Sequence, residues 1–173
     1  GGFTQVLLER GATTVLAVDV GHGQLAPELL RDERVKLWEG SNARYLTRED
    51  LAEHTGVQEQ PDLVVGDLSF ISLTHVLEPL TNVIAPDGSL VMLIKPQFEV
   101  GKDGVGDGVV TDPGLREQAI RTVIDHALSL GLSIQALTDS PILGGLGNRE
   151  YLIHMLFDGL SGEVAWREMI TLS

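Results

Sequence analysis

Short apolar segments rich in β-branched residues alternate with segments of helical periodicity along most of this chain. The strand-like segments are TTVLAVD, VKLWEG, PDLVVGDLSF and GSLVMLIKPQF, in that order. Such alternation predicts an α/β fold, in which a mostly parallel sheet carries helices on both faces. With 173 residues the chain is long enough to bury a hydrophobic core as a single domain.

Capping residues locate the helices. Thr4 is expected to cap the first helix and Gly11 to end it, and a second helix is predicted from Gln24 to Leu30. TREDLAEHTG has a threonine start and a glycine stop, and Asp112 with Pro113 begins the long helix through AIRTVIDHALSLG. The helix THVLEPLTNVI has an apolar face made of Val76, Leu77, Leu80 and Ile84.

The last two predicted strands, LSIQALTDSP and YLIHMLFDG, are separated by the helix-free loop ILGGLGNR. A parallel connection needs a crossover of about a dozen residues or more, usually helical, so an antiparallel pairing is favoured. The final strand then begins at the edge where the parallel strands end. We expect residues 1–160 to form one N-terminally incomplete domain that lacks its first strand, and residues 161–173 to be a helix or a loose tail.

Composition excludes several classes of protein. The chain has no cysteine, so it cannot contain a disulfide or a thiolate metal site, and its five histidines are not spaced as metal ligands. No apolar run approaches the roughly 18–20 residues of a membrane span, so a soluble cytoplasmic protein without a metal is expected. The formal net charge of -13 opposes binding of a polyanion by charge alone.

The chain opens with two glycines that run into a helical segment, a strand and an acid. Asp19 lies 17 residues beyond Gly2, at the end of that strand. In doubly wound sheets a glycine-rich turn approaches the cofactor, and an acid at the end of the following strand binds the ribose hydroxyls of an adenosine. Alternatively, the two glycines are a flexible chain start and Asp19 is an ordinary acid in the turn after a strand.

Charged residues also end other strands. Asp67 closes the strand in PDLVVGDLSF, and Lys95 closes the one in GSLVMLIKPQF. Because the final strand is expected to run antiparallel, Glu150 at its beginning should lie at the same edge. These three side chains are therefore predicted to gather around one pocket, although each alone is more often a capping or solvated residue.

The segments GGFTQVLLERGA, AVDVGHGQL, DLSFISL, IKPQFEVGK and GNREYLIH together resemble the hemolysin A-like (TlyA) ribosomal-RNA 2′-O-methyltransferases, which are relatives of the FtsJ methyltransferases. The resemblance covers nearly the whole chain in the expected order. It implies a Rossmann-like methyltransferase fold with an antiparallel final hairpin, S-adenosylmethionine as cofactor and ribosomal RNA or ribosomal subunits as substrate. It also implies a basic S4-like RNA-binding domain upstream.

The resemblance further implies roles for individual residues. The family has a Lys-Asp-Lys-Glu tetrad, whose last three members match Asp67, Lys95 and Glu150, while the first lysine would lie before Gly1. Lys95 would accept the hydroxyl proton or orient the hydroxyl, and the two acids would position Lys95 and the cofactor. The residues expected to bind the cofactor are Gly1, Gly2 and Phe3 at its methionine end, Asp19 at its ribose, Val20 at its adenine, Asn42 at its adenine or ribose, and Asp67.

Two other functions remain open from the residues alone. A dinucleotide-dependent oxidoreductase would use the glycine turn and Asp19 equally well, but would leave the three charged strand ends unexplained. A non-catalytic RNA-binding or membrane-lysing protein is the second alternative. No cationic amphipathic helix is visible that would support lysis. Asn42 could equally be an ordinary turn residue.

Overall fold

The computed structural model describes residues 1–101, 104–158 and 166–170, and the chain divides into two compact units, residues 1–60 and 61–173. The strands are β1 (Val15–Asp19), β2 (Val35–Glu39), β3 (Leu63–Gly66), β4 (Ser89–Ile94), β5 (Leu132–Asp139) and β6 (Tyr151–Phe157). The helices are α1 (Gly2–Glu9), α2 (Pro27–Leu30), α3 (Arg48–Thr55), α4 (Leu77–Val83), α5 (Pro96–Glu99) and α6 (Pro113–Ser129).

In the first unit β1 and β2 form a parallel pair in which Asp19 lies opposite Glu39. Helix α1 begins at Gly2, because the carbonyl of Gly1 already accepts the first helical hydrogen bond; Thr4 therefore lies inside the helix and does not cap it. Gly11, with a φ of 95°, follows the end of this helix as predicted.

Helix α2 is shorter than predicted. It begins at Pro27, while Ala26 is extended, because a residue before proline is disfavoured in the helical region. Helix α3 has the predicted boundaries: Thr47 accepts a hydrogen bond from the amide of Asp50, and Gly56 ends the helix with a φ of 75°.

The second unit contains a four-stranded sheet in the order β3-β4-β6-β5. Strands β3 and β4 are parallel, and β6 is antiparallel to both β4 and β5. The predicted α/β fold with an antiparallel final hairpin is confirmed. Tyr151 at the start of β6 lies opposite Ile94 at the end of β4, so the segment before β6 reaches the carboxyl edge of β3 and β4.

Helical segments on this sheet follow the predicted apolar pattern. The predicted single helix in THVLEPLTNVI is divided into a 3-10 turn, Leu73–His75, and α4, because the Ser72 hydroxyl caps the turn. All four residues of its predicted apolar face are nonetheless buried. Asp112 caps α6 as expected.

The end of the chain contributes a short 3-10 turn at Trp166–Met169, while residues 161–165 and 171–173 of the predicted helix or tail lie outside the described residues. Over the part of the chain that is described, no helix is both long and apolar enough to span a bilayer.

Candidate functional site

An ion pair lies at the carboxyl edge of β3 and β4. Asp67 follows the last residue of β3, Lys95 follows the last residue of β4, and Lys95 Nζ lies 2.6 Å from Asp67 Oδ1. Lys95 also donates to the Ser69 hydroxyl at 3.2 Å. The lysine side chain is only 12% exposed, whereas that of Asp67 is 55% exposed. The sheet thus presents a largely covered cation next to an open carboxylate.

Glu150 reaches the same edge but contacts a different residue. It immediately precedes β6, is 7% exposed, and its Oε1 accepts a 3.2 Å hydrogen bond from the amide of Gln97. A side chain at Gly144 would collide with this carboxylate. Glu150 therefore lies at the predicted edge, where α5 brings Gln97 to its carboxylate and Gly144 lies against its other side; its role in positioning Lys95 stays a prediction.

Gln97 was not singled out in the sequence, although it lies in the motif IKPQFEVGK. Its carbonyl oxygen is buried and accepts no hydrogen bond from any described residue. A buried acceptor of this kind commonly marks a place where a donor from water or a ligand binds. Gln97 therefore joins Glu150 as a candidate polar contact at the sheet edge.

The loop before β6 is held by Asn148, which is 2% exposed. Its side chain donates to the Gly108 carbonyl at 2.8 Å and accepts from the Val110 amide at 3.0 Å. The backbone carbonyl of Asn148 accepts a hydrogen bond from the Gly144 amide at 2.8 Å. Asn148 thus links the glycine-rich segment after β4 to the loop that carries Glu150.

Replacing Asn148 by alanine is expected to lower the free energy of unfolding by about 2–4 kcal/mol, because two buried backbone groups lose their partner. Urea denaturation measures the change. Asn82→Ala, at an exposed position of α4, is the matched control and should stay within about 0.5 kcal/mol of the wild type. Equal stability of the two variants would contradict this role of Asn148.

Burial raises the pKa values of two titratable side chains near this edge of the sheet. Burial raises the pKa of the Glu99 carboxyl, and hydrogen bonds from the Leu73 amide and the Ser72 hydroxyl oppose the rise. Burial also raises the pKa of the Tyr151 phenol. The phenol therefore stays neutral at physiological pH, and it is a packing group at the start of β6 rather than a base.

Phe70 has an unusual conformation for an aromatic residue. Its φ is 63°, in a region that bulky side chains rarely adopt, and it is 91% exposed. Its ring centroid lies 5.1 Å from that of Phe98 at an angle of 50°. Strained backbone conformations of this kind are typical of functional sites. Phe70 therefore joins the candidate site as an exposed aromatic ring, three residues after Asp67.

In the first unit, acids at the ends of β1 and β2 support neighbouring turns. Asp19 Oδ1 accepts from the Gly21 amide at 2.7 Å, and Glu39 Oε1 accepts from the Gly23 amide at 2.7 Å. The other oxygen of Asp19 has no hydrogen-bond partner among the described residues. Glu39 was missed in the sequence, although its place at the end of a strand was the available signal.

The other predicted cofactor residues of this unit are placed as follows. Gly1 is the N-cap of α1, and a side chain there would press on the ends of the Leu25 and Leu29 side chains. Gly2 faces open space, Phe3 is half-buried and Val20 is 68% exposed. Asn42 is exposed and its Oδ1 accepts from the Arg44 amide, as a turn asparagine does.

The described residues contain no group of three or more histidine, aspartate or glutamate side chains that could hold a metal ion. The polar groups at the two sites are instead carboxylates, one ammonium and amides, which suit hydrogen bonding to an organic ligand.

Comparison with known proteins gives a consistent result. The family model described as FtsJ-like methyltransferase matches residues 1–157. The 16S/23S rRNA (cytidine-2′-O)-methyltransferase TlyA of Mycobacterium tuberculosis is 49% identical over 154 residues, which are 88% of this chain and 55% of that protein. This chain therefore spans about half the length of that relative.

Solved structures agree with the family match. A candidate hemolysin from Lactococcus lactis superposes with a TM-score of 0.91 at 41% identity, over 99% of this chain and 79% of that one. The N-methyltransferase NodS from Bradyrhizobium japonicum, in complex with S-adenosyl-L-homocysteine, has a TM-score of 0.53 at 13% identity, over 83% of this chain and 66% of that one. At this low identity the second comparison shows the fold alone.

Proposed function

Because this chain belongs to the FtsJ-like methyltransferase family, we propose that the protein transfers a methyl group from S-adenosylmethionine to a ribose 2′-hydroxyl of ribosomal RNA. The observation that carries the proposal is the Lys95–Asp67 ion pair at the carboxyl ends of two parallel strands. Ligands of open α/β sheets bind at this edge. The relative from M. tuberculosis is named for the same chemistry on cytidine.

The first unit has groups that fit an adenosyl cofactor with a methionine end. The second oxygen of Asp19 remains an acceptor for ribose hydroxyls, and Val20 offers an exposed apolar surface for adenine. The first amides of α1 have no partner within the helix and suit a carboxylate. We assign the ribose to Asp19, the adenine to Val20, the adenine or the ribose to Asn42, and the methionine end to Gly1, Gly2 and Phe3.

S-adenosylmethionine, when bound, supplies a methyl group on a sulfonium sulfur, which leaves as a neutral thioether. The protein must therefore hold the hydroxyl in line with the methyl group and assist loss of its proton. An ammonium has no lone pair, so Lys95 in its ion pair orients the hydroxyl by donating to its oxygen. It also stabilises the negative charge that develops on this oxygen as its proton leaves.

The hydroxyl proton passes to the exposed carboxylate of Asp67 or to water in this mechanism, and Asp67 is also proposed to bind the cofactor. Glu150 acts through Gln97: its carboxylate fixes the amide, and the carbonyl oxygen of Gln97 accepts a hydrogen bond from the substrate or the cofactor.

Binding of RNA requires positive charge that this chain does not have in excess, since its formal net charge is -13. We propose that a basic S4-like domain upstream supplies it, and that ribosomal subunits or their RNA are the partners.

Incubation of the full-length protein with tritiated S-adenosylmethionine and ribosomal RNA tests the proposed methyl transfer. The label should map to a ribose 2′-oxygen, and label on a base, or none, would reject the assignment.

Phe70 is proposed to stack on the target base, since it is an open aromatic face beside Ser69, the hydroxyl partner of Lys95. Phe70→Ala should raise the KM for RNA about tenfold, because stacking of one base on an aromatic ring contributes about 1–3 kcal/mol. Affinity for S-adenosylmethionine should not change. Phe70→Trp should retain the wild-type KM, and Leu143→Ala, another exposed apolar position, is the control.

A further inference from the structure

The segments that follow β3 and β4 contact each other at several successive positions. Nearest the sheet, Lys95 bonds to Asp67 and Ser69. Farther out, the rings of Phe70 and Phe98 pack together. Together these contacts join the segment Asp67–Leu73 to the segment Lys95–Glu99 side by side, and we call this arrangement the two-segment clasp.

Glu99 closes the outer end of the clasp. Its Oε2 accepts from the Ser72 hydroxyl at 2.5 Å, and its Oε1 accepts from the Leu73 amide at 2.8 Å. Ser72 in turn caps the 3-10 turn that leads into α4. One half-buried carboxylate thereby attaches the end of α5 to the segment that carries Asp67, across 26 residues of sequence.

The short hydroxyl–carboxylate distance is typical of a strong, charge-assisted hydrogen bond. At the inner end, by contrast, the partners of Lys95 are the exposed side chains of Asp67 and Ser69. Ion pairs with an exposed partner hold their geometry weakly. The pairing of β3 with β4 brings the two strand ends to one edge, and the outer bond is a further contact that fixes the two segments beyond that edge relative to each other.

We propose that Glu99 is a positioning residue for the methyl-transfer reaction, which holds Lys95 and Asp67 in register by fixing the outer end of the two-segment clasp. This inference rests on the proposed function for its catalytic consequence. Its structural part, the dependence of the Lys95–Asp67 pair on Glu99, stands without that function and is tested separately.

Lysine acetylation by acetic anhydride, measured peptide by peptide by mass spectrometry, reports on the ion pair directly. In Glu99→Ala, Lys95 should be acetylated several-fold faster than in the wild type, while Lys36 in the first unit serves as the internal reference. Glu99→Gln should match the wild type, because its amide can accept from Leu73 and donate to Ser72. An unchanged rate at Lys95 in folded Glu99→Ala would overturn the proposal.

The kinetic arm uses the full-length protein. Glu99→Ala should lower kcat by about tenfold to a hundredfold, the effect of misplacing a reacting group by about 1 Å, with an unchanged KM for S-adenosylmethionine. Glu99→Gln should restore kcat, and Glu78→Ala, an exposed acid of α4, should leave it unchanged. Full kcat in Glu99→Ala would overturn the positioning role.

If Glu99→Ala does not fold, Ser72→Ala tests the same outer contact. It removes the 2.5 Å bond to Glu99 and the cap on the Thr74 amide but keeps the bond from the Leu73 amide to Glu99, so both readouts should shift in the same direction by a smaller amount. No shift in either readout would count against the proposal. If the wild type methylates no ribosomal RNA but Lys95 still responds to Glu99→Ala, the proposed function fails and the structural dependence stands.

Discussion

Replacing Lys95 by methionine is expected to reduce methyl transfer to ribosomal RNA by about a hundredfold to a thousandfold, the range lost when one donor that stabilises charge in the transition state is removed. The lysine is largely covered and its ammonium lies 2.6 Å from Asp67 Oδ1, so its removal takes away the cation of this ion pair. Methionine retains an unbranched apolar side chain at the site. Single-turnover incorporation of tritiated methyl groups by the full-length protein measures the loss.

Two controls accompany this prediction. Affinity for S-adenosylmethionine, measured by calorimetry, should stay near the wild-type value, since the residues proposed to bind its ribose and adenine lie in residues 1–60. Lys36→Met, whose ammonium donates to the Glu33 carbonyl, should transfer methyl groups at the wild-type rate. Undiminished turnover by the Lys95 variant would remove this lysine from the mechanism.

The second large effect is expected at Asp19. In Asp19→Asn the oxygen that accepts from Gly21 is kept, but the other oxygen becomes an amide donor that cannot accept from a ribose hydroxyl. The Kd for S-adenosylmethionine should rise about tenfold to a hundredfold, since a hydrogen bond to a charged group contributes about 1.5–3 kcal/mol. Titration calorimetry measures it without any need for activity.

A matched acid of the same unit separates a specific effect from loss of charge. Asp32 forms a 2.6 Å ion pair with Arg34, so Asp32→Asn should bind the cofactor as the wild type does. The same titration with NAD tests the oxidoreductase alternative, for which binding of NAD rather than S-adenosylmethionine would be required. Equal affinities for S-adenosylmethionine in the two variants would refute the assignment of Asp19.

The sequence predicted the elements that follow from periodicity and strand ends. The fold class, the antiparallel final strand and the meeting of Asp67 with Lys95 are all confirmed, because strand direction alone decides which residues share an edge. The family resemblance is confirmed as well. Hydrophobic periodicity, strand ends and family motifs each extend over many residues, so they can be recognised in a single sequence.

Side-chain partners within the site could not be predicted in the same way. The hydrogen bond from Gln97 to Glu150 was not predicted, because the turn of α5 and the space left by Gly144 decide where a buried carboxylate points. The roles of Ser72 and Glu99 depend on the register between two segments that are far apart in sequence. Both residues lie in motifs that were recognised, but only the strand-end charges of those motifs were used.

The hydrogen-bond order β4-β6-β5 has a consequence for folding. Strand β6 occupies the centre of its sheet, although it is made after both of its neighbours. Until it inserts, β4 and β5 have no common partner, and the carboxylate that precedes it cannot reach Gln97. A ribosome that has not yet released residues 151–157 therefore carries a nascent chain in which β4 and β5 are unpaired with β6 and the hydrogen bond between Gln97 and Glu150 is not yet formed.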